Sequence, residues 1–482
     1  MTAIDFFKEI CKIPHGSGNE EGIAKYIEGV AKKHGLYCFR DTHNNVFVRK
    51  KASVGFEDKP SVLFAAHTDM VCEKIAGSTH DFEKDAIELT EKNGKLYANG
   101  TTLGGDDGAG VAIMLEMMTN DALIAPATEY LFTTAEETGM YGAIGFDYSA
   151  VTSDMIVNLD SGWENGVCIS CASGYRYDLK IPFDRTRKCG KAVKLTVCGL
   201  AGGHSGVEID SGKQSAVKLL GVLLDTLYSD YPFHIVSITC DGKANVIAPS
   251  AEATVVFYGA DDEKRAKDKI IELENAIRPL LCKADAKKFR IGYKKLNSAE
   301  NDATADMLTL KSTSAVISAL MLCPQGVIDR FDDKNVRTSI NLGIVNTFND
   351  TVSMSFLARS ASDISDKMMR QSLERLAHVL GAALELQSYH TCWEYRRGSY
   401  LQDIYGKAYG EVFGGSPEFF ATHAGLECGT FYGSLKALGK TPDIISVGPN
   451  MYDIHTPKES LEIASVERIS DTLKIMLKKI CE

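Results

Sequence analysis

Two hydrophobic periodicities alternate along the first 160 residues. Apolar residues at helical spacing cover 4–10 and 20–34, and nearly continuous apolar runs occupy 62–66 and 155–159. Short apolar runs of this kind are typical of strands buried on both faces, and their alternation with helices predicts a largely parallel sheet. A further predicted strand, 129–134, leads into two adjacent glutamates. The pattern therefore predicts an α/β domain whose sheet is flanked by helices.

The pattern changes from about residue 191, where the plan strand, helix, strand, strand, helix, strand occurs twice, the second time incomplete at its start. One helix of the second half is predicted at 303–322. After about residue 393 the pattern returns to the first kind. We therefore expect a first domain formed by 1–186 and 393–482 and an inserted α+β domain, 187–392, with two ferredoxin-like halves.

Composition narrows the possible partners and the compartment. A chain of 482 residues with 44% apolar residues suits two domains with substantial cores. The net charge of −11 and the lack of a basic run argue against nucleic acid, and no apolar run approaches the ~20 residues of a membrane span. The first residues do not resemble a secretory signal, and the odd count of thirteen cysteines indicates free thiols. We expect a cytoplasmic protein.

Polar residues that can bind metals lie at the ends of predicted strands or in loops. Five of them are imidazoles or carboxylates, namely His67, Asp106, Glu137, Asp160 and His455. In open α/β sheets, sites form outside the carboxyl ends of the strands. Two imidazoles and three carboxylates suit two zinc ions or similar divalent ions, which a shared carboxylate holds ~3.5–4 Å apart.

The glutamate pair after strand 129–134 can divide two tasks. Successive side chains leave an extended backbone in opposite directions, so Glu137 could hold a metal while Glu136 reaches a water molecule. A solvated acidic turn is the alternative that these two residues alone leave open. A non-catalytic metal-binding protein also stays open. Glu136 argues against it, because a site that only binds metal needs ligands and no base.

Six motifs occur in the order seen in the M20 family of metallopeptidases: AAHTDMV, TLGGDDGAG, TTAEETG, NLDS, GGHSG and IHTPKE. Within that family, LGGDDGAG, GGHSG and HAGLECGTF look most similar to the aminoacyl-histidine dipeptidases, which are carnosinase-like. The resemblance runs from the N-terminal helices to the last helix. It implies a zinc-peptidase-like catalytic domain with an inserted lid.

The resemblance also implies a role for each of the five ligands. His67 and Asp160 would bind one metal ion, and Glu137 and His455 would bind the other. Asp106 would bridge the two ions, and the peptide bond that follows it is expected to be cis.

Two more residues of the catalytic domain receive roles from the resemblance. Asp69 would orient the His67 imidazole, and Glu136 would act as the general acid and base. Asp107 stands where close relatives often have asparagine. The neighbouring Asp106 is preferred over Asp107 as the bridging residue.

In the inserted domain the resemblance identifies groups that would contact the substrate. His204 would stabilise the oxyanion, and Asn245 and Arg359 would hold the C-terminal carboxylate of a peptide. Closure of the lid would bring His204 to the reaction.

His423 and Glu427 could either line the substrate pocket or pack structurally, and the sequence leaves both interpretations open.

The reaction that the resemblance implies is the hydrolysis of short peptides by metal-activated water. Xaa-His dipeptides such as carnosine are the expected substrates. A broad-specificity dipeptidase and an N-acyl amino acid amidohydrolase would use the same site and remain alternatives. The expected cofactors are two divalent ions per chain, zinc first, with cobalt or manganese also possible, and a homodimer is left open.

Overall fold

The computed structural model describes residues 1–259, 262–296, 305–331 and 335–482. The chain divides into two compact units. The first comprises Met1–Cys171, Tyr395–Ala421 and Leu426–Glu482, and the second comprises Ala172–Glu394 and Thr422–Gly425. In sequence, the second unit is thus inserted into the first.

The limits of the inserted unit differ from the expected 187–392. Strand Gly174–Pro182 pairs on one side with Thr351–Ser360 and on the other with Ala383–His390, both of which belong to the second unit. Backbone hydrogen bonding therefore places the segment from Ala172 onward in that unit. The short segment Thr422–Gly425 also belongs to the second unit, and the hydrophobic pattern did not predict this.

An eight-stranded sheet lies at the centre of the first unit. Its order is Tyr37–Arg40, Val46–Lys50, Thr128–Thr133, Val62–His67, Met155–Asn158, Asp443–Ser446, Gly166–Cys171 and Glu418–Thr422. The third to sixth strands in this order pair in parallel. The first strand pairs with the second, the second with the third, and the sixth with the seventh, all in antiparallel orientation. The central strands are almost wholly buried, as their apolar runs predict. The prediction of a mixed, largely parallel sheet is confirmed.

Five helices of the first unit, Ala3–Ile10, Glu21–Lys33, Gly105–Thr119, Tyr400–Phe413 and Ile463–Cys481, share one hydrophobic core with this sheet, to which Phe7, Phe64, Met114 and Leu473 belong. The α-helices are Ala3–Ile10, Glu21–Lys33, Gly105–Thr119, Tyr141–Gly145, Tyr400–Phe413, Glu427–Ala437 and Ile463–Cys481, with a 3-10 turn at Tyr148–Ala150. A small antiparallel sheet contains Met451–Tyr452, Ser460–Glu462, Lys95–Ala98 and Leu89–Lys92. The predicted hairpin turn at Asn93 and Gly94 joins its last two strands, and both residues have positive φ.

The glycine-rich stretch differs from its prediction as a loop at 101–110 followed by a helix at 111–118. The helix begins at Gly105, and Asp106 and Asp107 keep non-helical backbone angles within its first turn. Glycines carry no apolar pattern, so periodicity shows only the later part of the helix. This irregular first turn carries the candidate bridging residue.

The second unit is built on a nine-stranded sheet among the described residues, and its neighbouring strands all pair in antiparallel orientation. Its order is Arg290–Lys295, Lys191–Cys198, Ala251–Phe257, Phe233–Cys240, Val336–Thr347, Thr351–Ser360, Gly174–Pro182 and Ala383–His390, with Gly326–Arg330 beside Val336–Thr347. Two short ladders pair Arg185–Lys188 with Ala305–Leu308 and Gly203–His204 with Val246–Ile247. The two halves suggested by the sequence share this one sheet, where Phe233–Cys240 meets Val336–Thr347.

Among its described residues, the second unit contains the helices Ala216–Asp230, Asp262–Ile277, Lys283–Ala286, Leu310–Leu322 and Asp363–Leu380, with a 3-10 turn at Arg278–Leu280. The helix predicted at 303–322 is shorter, because Thr309 caps a helix that starts at Leu310 and a strand, Ala305–Leu308, precedes it. The predicted helix residues 303 and 304 lie outside the described residues. Across the described part of the chain, no helix is long and apolar enough to cross a membrane.

We predict that Phe64→Ala destabilises the first unit. Phe64 is fully buried in the central parallel sheet and stacks on Tyr130 with ring centroids 5.6 Å apart. Removing such a ring typically lowers the free energy of unfolding by about 3–5 kcal/mol. Urea denaturation followed by circular dichroism measures the change, and Val54→Ala, at a position 94% exposed, serves as the control. A loss below about 1 kcal/mol for Phe64→Ala would contradict this packing.

Candidate functional site

Three neighbouring parallel strands of the first unit deliver acidic and imidazole side chains to one edge of the sheet. His67 is the last residue of Val62–His67, Glu136 and Glu137 follow Thr128–Thr133, and Asp160 follows Met155–Asn158. Because parallel strands end at the same edge, residues far apart in sequence meet there. The structure therefore brings His67, Glu136, Glu137 and Asp160 to one edge of the sheet, where the sequence predicts them.

Asp106 lies between the two candidate imidazole ligands. Its Oδ1 is 3.2 Å from His67 Nε2, and its Oδ2 is 3.3 Å from His455 Nε2. His455 Nε2 is also 2.8 Å from Glu137 Oε1. Each oxygen of the Asp106 carboxylate thus faces a different histidine, which is the arrangement that a shared ligand needs. The peptide bond between Asp106 and Asp107 is cis, as the resemblance predicts.

Ligand atoms of these residues cluster in two overlapping groups. His67, Asp106 and Asp160 form one group, and Asp106, Glu137 and His455 form the other, with ligand atoms in each group within 4.8 Å of one another. Imidazole nitrogens and carboxylate oxygens in such numbers suit zinc and similar divalent ions. The donor set therefore fits a pair of divalent ions that share Asp106.

The site concentrates carboxylates in a buried place. Burial raises the pKa of Glu136 to about 9; the nearby carboxylates of Asp160 and Glu427 add to the rise, and His67 opposes it. Burial likewise raises the pKa of Asp160 to about 7, and the Asp106 carboxylate adds to it. Buried carboxylates close to one another favour a bound cation, because a positive charge stabilises their ionised forms.

Asp69 is placed to orient His67. The Nδ1 atom of His67 lies 3.0 Å from the backbone oxygen of Asp69 and 3.5 Å from its Oδ1, so the ring turns its Nε2 toward Asp106. The Asp69 carboxylate also accepts hydrogen bonds from Ser17 Oγ and from the backbone N–H groups of Glu136 and Glu137. Burial raises the pKa of Asp69, but these hydrogen bonds and His67 outweigh it and hold the pKa below its ordinary value.

Two buried glutamates adjoin this centre. Glu427, which the sequence left undecided, accepts a hydrogen bond from Thr133 Oγ1 at 2.8 Å, and its Oε1 has no partner among the described residues. Burial raises the pKa of Glu427 to about 8. Glu459, which the sequence analysis did not single out, accepts hydrogen bonds from the backbone at 103–106. Its position in IHTPKE was the only available signal.

In the second unit, His204 and Asn245 lie side by side. The ladder between Gly203–His204 and Val246–Ile247 sets His204 opposite Val246, and Ser205 N–H donates to the Asn245 backbone oxygen at 2.9 Å. The backbone N–H groups of Gly206 and Val207 both point at His204 Nδ1, at 3.2 and 3.3 Å. A nitrogen that accepts hydrogen bonds carries no proton, so the neutral ring has its proton on Nε2.

Arg359 is a buried cation in the same unit. Arg359 is part of strand Thr351–Ser360 and is paired with Ser339 on the neighbouring strand. The Nε atom of Arg359 has no hydrogen-bond partner among the described residues. His423 Nε2 lies 2.7 Å from Ser339 Oγ, so His423 also contacts the strand residue that is paired with Arg359. Burial lowers the pKa of Arg359 to about 10. A buried guanidinium with an unused donor is suited to bind an anion.

The pKa values of His390 and His423 are lowered near this cation. Burial lowers the pKa of His390 to about 4 and that of His423 also to about 4, and the positive charge of Arg359 adds to both effects. No sequence pattern assigned a role to His390. Both rings are therefore neutral near pH 7, so that neither brings a second positive charge close to Arg359.

We predict that His390 and His423 titrate with midpoints near 4 in the folded protein. Because these pKa values lie below the ordinary 6.5, the unfolded chain binds protons first, and stability falls as the pH drops from about 6.5 toward 4. NMR spectra of labelled histidines assigned with His390→Gln and His423→Gln measure the midpoints. Midpoints above 6 would show that neither ring is buried beside Arg359.

Comparisons with known proteins agree with the motifs. A sequence profile described as Peptidase family M20/M25/M40 matches residues 63–479. The chain is 33% identical over 480 residues to the cytosol non-specific dipeptidase of Escherichia coli (strain K12), which covers 99% of this chain and 97% of that protein.

Solved structures are similar over the whole chain. Aminoacylhistidine dipeptidase from Vibrio alginolyticus matches with a TM-score of 0.90 at 30% identity, covering 99% of this chain and 96% of that one. Aminopeptidase PepT from Bacillus cereus shares the fold, with a TM-score of 0.61 at 14% identity over 100% of this chain and 98% of that one. The resemblance drawn from the motifs is confirmed: the chain belongs to peptidase family M20/M25/M40 and is a metal-dependent hydrolase.

Proposed function

We propose that the chain is a dipeptidase that hydrolyses short peptides at the centre around Asp106. The observation that carries this proposal is the placement of the two Asp106 oxygens, each facing a different imidazole, beside the buried Glu136. The names of the dipeptidases from Escherichia coli and Vibrio alginolyticus, both similar over the whole chain, support dipeptides as the substrates.

The proposed ligands divide into two sets that share one residue. His67 and Asp160 would hold one divalent ion, Glu137 and His455 the other, and Asp106 both. Zinc is the ion that we propose, with cobalt and manganese as alternatives that the same nitrogen and oxygen donors accept. When bound, such ions lower the pKa of a water molecule and polarise a carbonyl group.

Glu136 is the proposed proton carrier. Its carboxylate accepts a proton from the water molecule whose oxygen attacks the scissile carbonyl carbon. Glu136 then gives that proton to the amide nitrogen as the carbon–nitrogen bond breaks. Its burial raises the affinity of the carboxylate for a proton, and the positive charge of bound divalent ions would lower that affinity again, so that the group could both accept and release the proton.

The second unit supplies the proposed substrate contacts. The Nε2–H group of His204 would donate to the oxyanion that forms on the carbonyl oxygen, a role for which its occupied Nδ1 leaves Nε2 protonated. Arg359 and Asn245 would bind the substrate's C-terminal carboxylate, and the unused Nε–H of Arg359 supports this assignment. His423, held by Ser339, would border this contact.

Two specificities compete within this proposal. Xaa-His dipeptides are favoured by the structural similarity to aminoacylhistidine dipeptidase, whereas the relative from Escherichia coli is named as non-specific. An N-acyl amino acid amidohydrolase would also need a carboxylate contact and a metal centre. A panel of dipeptides and N-acyl amino acids, assayed with zinc, cobalt and manganese, separates the three.

The proposed location is the cytoplasm. None of the thirteen cysteines, all of which are described, forms a disulfide, as expected in a reducing compartment, and the relative from Escherichia coli is named as cytosolic. The homodimer named as an open possibility from the sequence stays a prediction, which light scattering of the purified protein tests.

We predict that Glu136→Gln lowers kcat by about 10²- to 10⁴-fold and leaves the metal content unchanged. The amide has nearly the same shape but cannot accept the proton. Steady-state kinetics and elemental analysis of the same samples measure both quantities. Glu137→Gln is the matched control, because the neighbouring glutamate is a proposed ligand and its variant should lose metal. Loss of metal from Glu136→Gln would assign Glu136 to the ligands instead.

We predict that Arg359→Met removes the preference for a free C-terminal carboxylate. The variant should lower kcat/KM for a dipeptide by about 10- to 100-fold, as expected when a hydrogen bond to a charged group worth ~1.5–3 kcal/mol is lost. The same dipeptide with an amidated C-terminus should be cleaved about equally by both proteins. Arg337→Met is the control, because Arg337 pairs with Asp329 on a neighbouring strand. An unchanged ratio between free acid and amide would contradict the contact.

A further inference from the structure

One carboxylate outside the ligand set gathers the loop that carries Asp106. Glu459 Oε2 accepts hydrogen bonds from the backbone N–H groups of Leu103 and Gly104, at 2.8 and 3.2 Å. Its Oε1 accepts those of Gly105 and Asp106, at 2.8 and 3.3 Å. The side chain is only 3% exposed, so water competes little for these bonds. Four consecutive peptide groups are therefore fixed by a single side chain.

The loop needs such an anchor because its own residues restrain it little. Gly104 has a φ of +71°, and glycine has the widest conformational freedom of all residues. The two glycines also allow the carboxylate to approach closely, since a Cβ at Gly105 would lie 3.1 Å from Glu459 Oε1. Without Glu459, four adjacent N–H groups at the start of a buried helix would have to find other acceptors.

Glu459 belongs to the same short segment as His455. Backbone hydrogen bonds from Thr456 N–H to the Asp453 oxygen at 3.2 Å and from Glu459 N–H to the Thr456 oxygen at 3.0 Å fold this segment into consecutive turns. One end of the segment thus carries an imidazole 3.3 Å from Asp106 Oδ2, and the other end holds the Asp106 backbone. A displacement of either end changes the position of Asp106 relative to His455.

We propose that Glu459 is a positioning residue that fixes Asp106 between the two divalent ions and so couples the binding of one ion to that of the other. This inference rests on the proposed function, in which Asp106 is shared by both ions. In this role Glu459 would contact neither substrate nor reacting atoms. It acts through the backbone of residues 103–106, and it fixes the direction in which the Asp106 carboxylate points.

Glu459→Gln tests this role with almost no change of shape. The amide keeps one oxygen, but its NH₂ group faces two backbone N–H groups and cannot accept a hydrogen bond from either. At least two of the four hydrogen bonds are therefore lost. Glu459→Asp is the second variant, since it keeps the charge and shortens the side chain by one methylene group.

The measurement is the binding of Mn²⁺ to metal-stripped protein, by calorimetry and by electron paramagnetic resonance. Wild type should bind two ions with a spectrum of a spin-coupled pair. Glu459→Gln should bind the second ion at least about tenfold more weakly, as is usual when a residue that supports a metal ligand is removed, and should show uncoupled Mn²⁺. Glu459→Asp should show a smaller loss of the same kind.

Glu129→Gln is the matched control. Glu129 is a buried carboxylate that accepts backbone N–H groups of Thr152 and Ser153, and it lies near the start of strand Thr128–Thr133, away from the strand end that leads to Glu136. Its variant should lose thermal stability while both ions and the coupled spectrum remain. A purely structural role for Glu459 would give the same result as this control.

The outcomes separate the inference from the proposed function. If wild type binds two uncoupled ions, Asp106 is not shared, and both proposals fall. If wild type is coupled and a folded Glu459→Gln or Glu459→Asp protein keeps wild-type affinities and coupling, only the role of Glu459 falls. Circular dichroism establishes folding, and if Glu459→Gln does not fold, the folded Glu459→Asp protein decides.

Discussion

The structure of the first unit depends on holding several carboxylates together away from water. Asp106, Glu136 and Asp160 meet at the edge of a parallel sheet, where burial alone disfavours their ionised forms. Such a cluster is stable only with compensating positive charge. The imidazoles of His67 and His455 can supply it while they are protonated and bind no metal. Divalent ions would supply it once the same rings bind them as neutral ligands. The need for cations is thus a property of the fold itself, because the strands that form the core also bring the carboxylates together.

The backbone around the cluster is held by other carboxylates. Asp69 accepts the N–H groups of Glu136 and Glu137, and Glu459 accepts four N–H groups before and at Asp106. Loops at the end of a sheet have few backbone partners of their own, so buried side-chain acceptors replace the missing ladder. The same residues therefore satisfy the backbone and aim the ligands. This explains how two irregular loops can present groups with the precision that a metal centre needs.

Sequence patterns predicted what depends on local chemistry, and they missed what depends on distant contacts. Apolar runs gave the central strands, and the polar residues after them gave His67, Glu137 and Asp160. The role of Glu459 was hidden, because its partners lie more than 350 residues earlier in the chain and are backbone groups of any residue type. The start of the second unit at Ala172 was missed because strand pairing, not periodicity, decides it.

The two units differ in the charge of the polar groups that each one buries. The first concentrates acidic ligands, and the second holds the buried cation Arg359 among histidines whose pKa values are lowered by burial and further by that cation. Keeping those imidazoles neutral leaves a single positive charge, so the best ligand is a single carboxylate and not a polyanion. A short peptide provides that carboxylate and, one residue away, an amide carbonyl that metal ions can polarise. Under the proposed function, a substrate needs its terminal carboxylate close to the amide bond that is cleaved, and dipeptides meet this need better than proteins do.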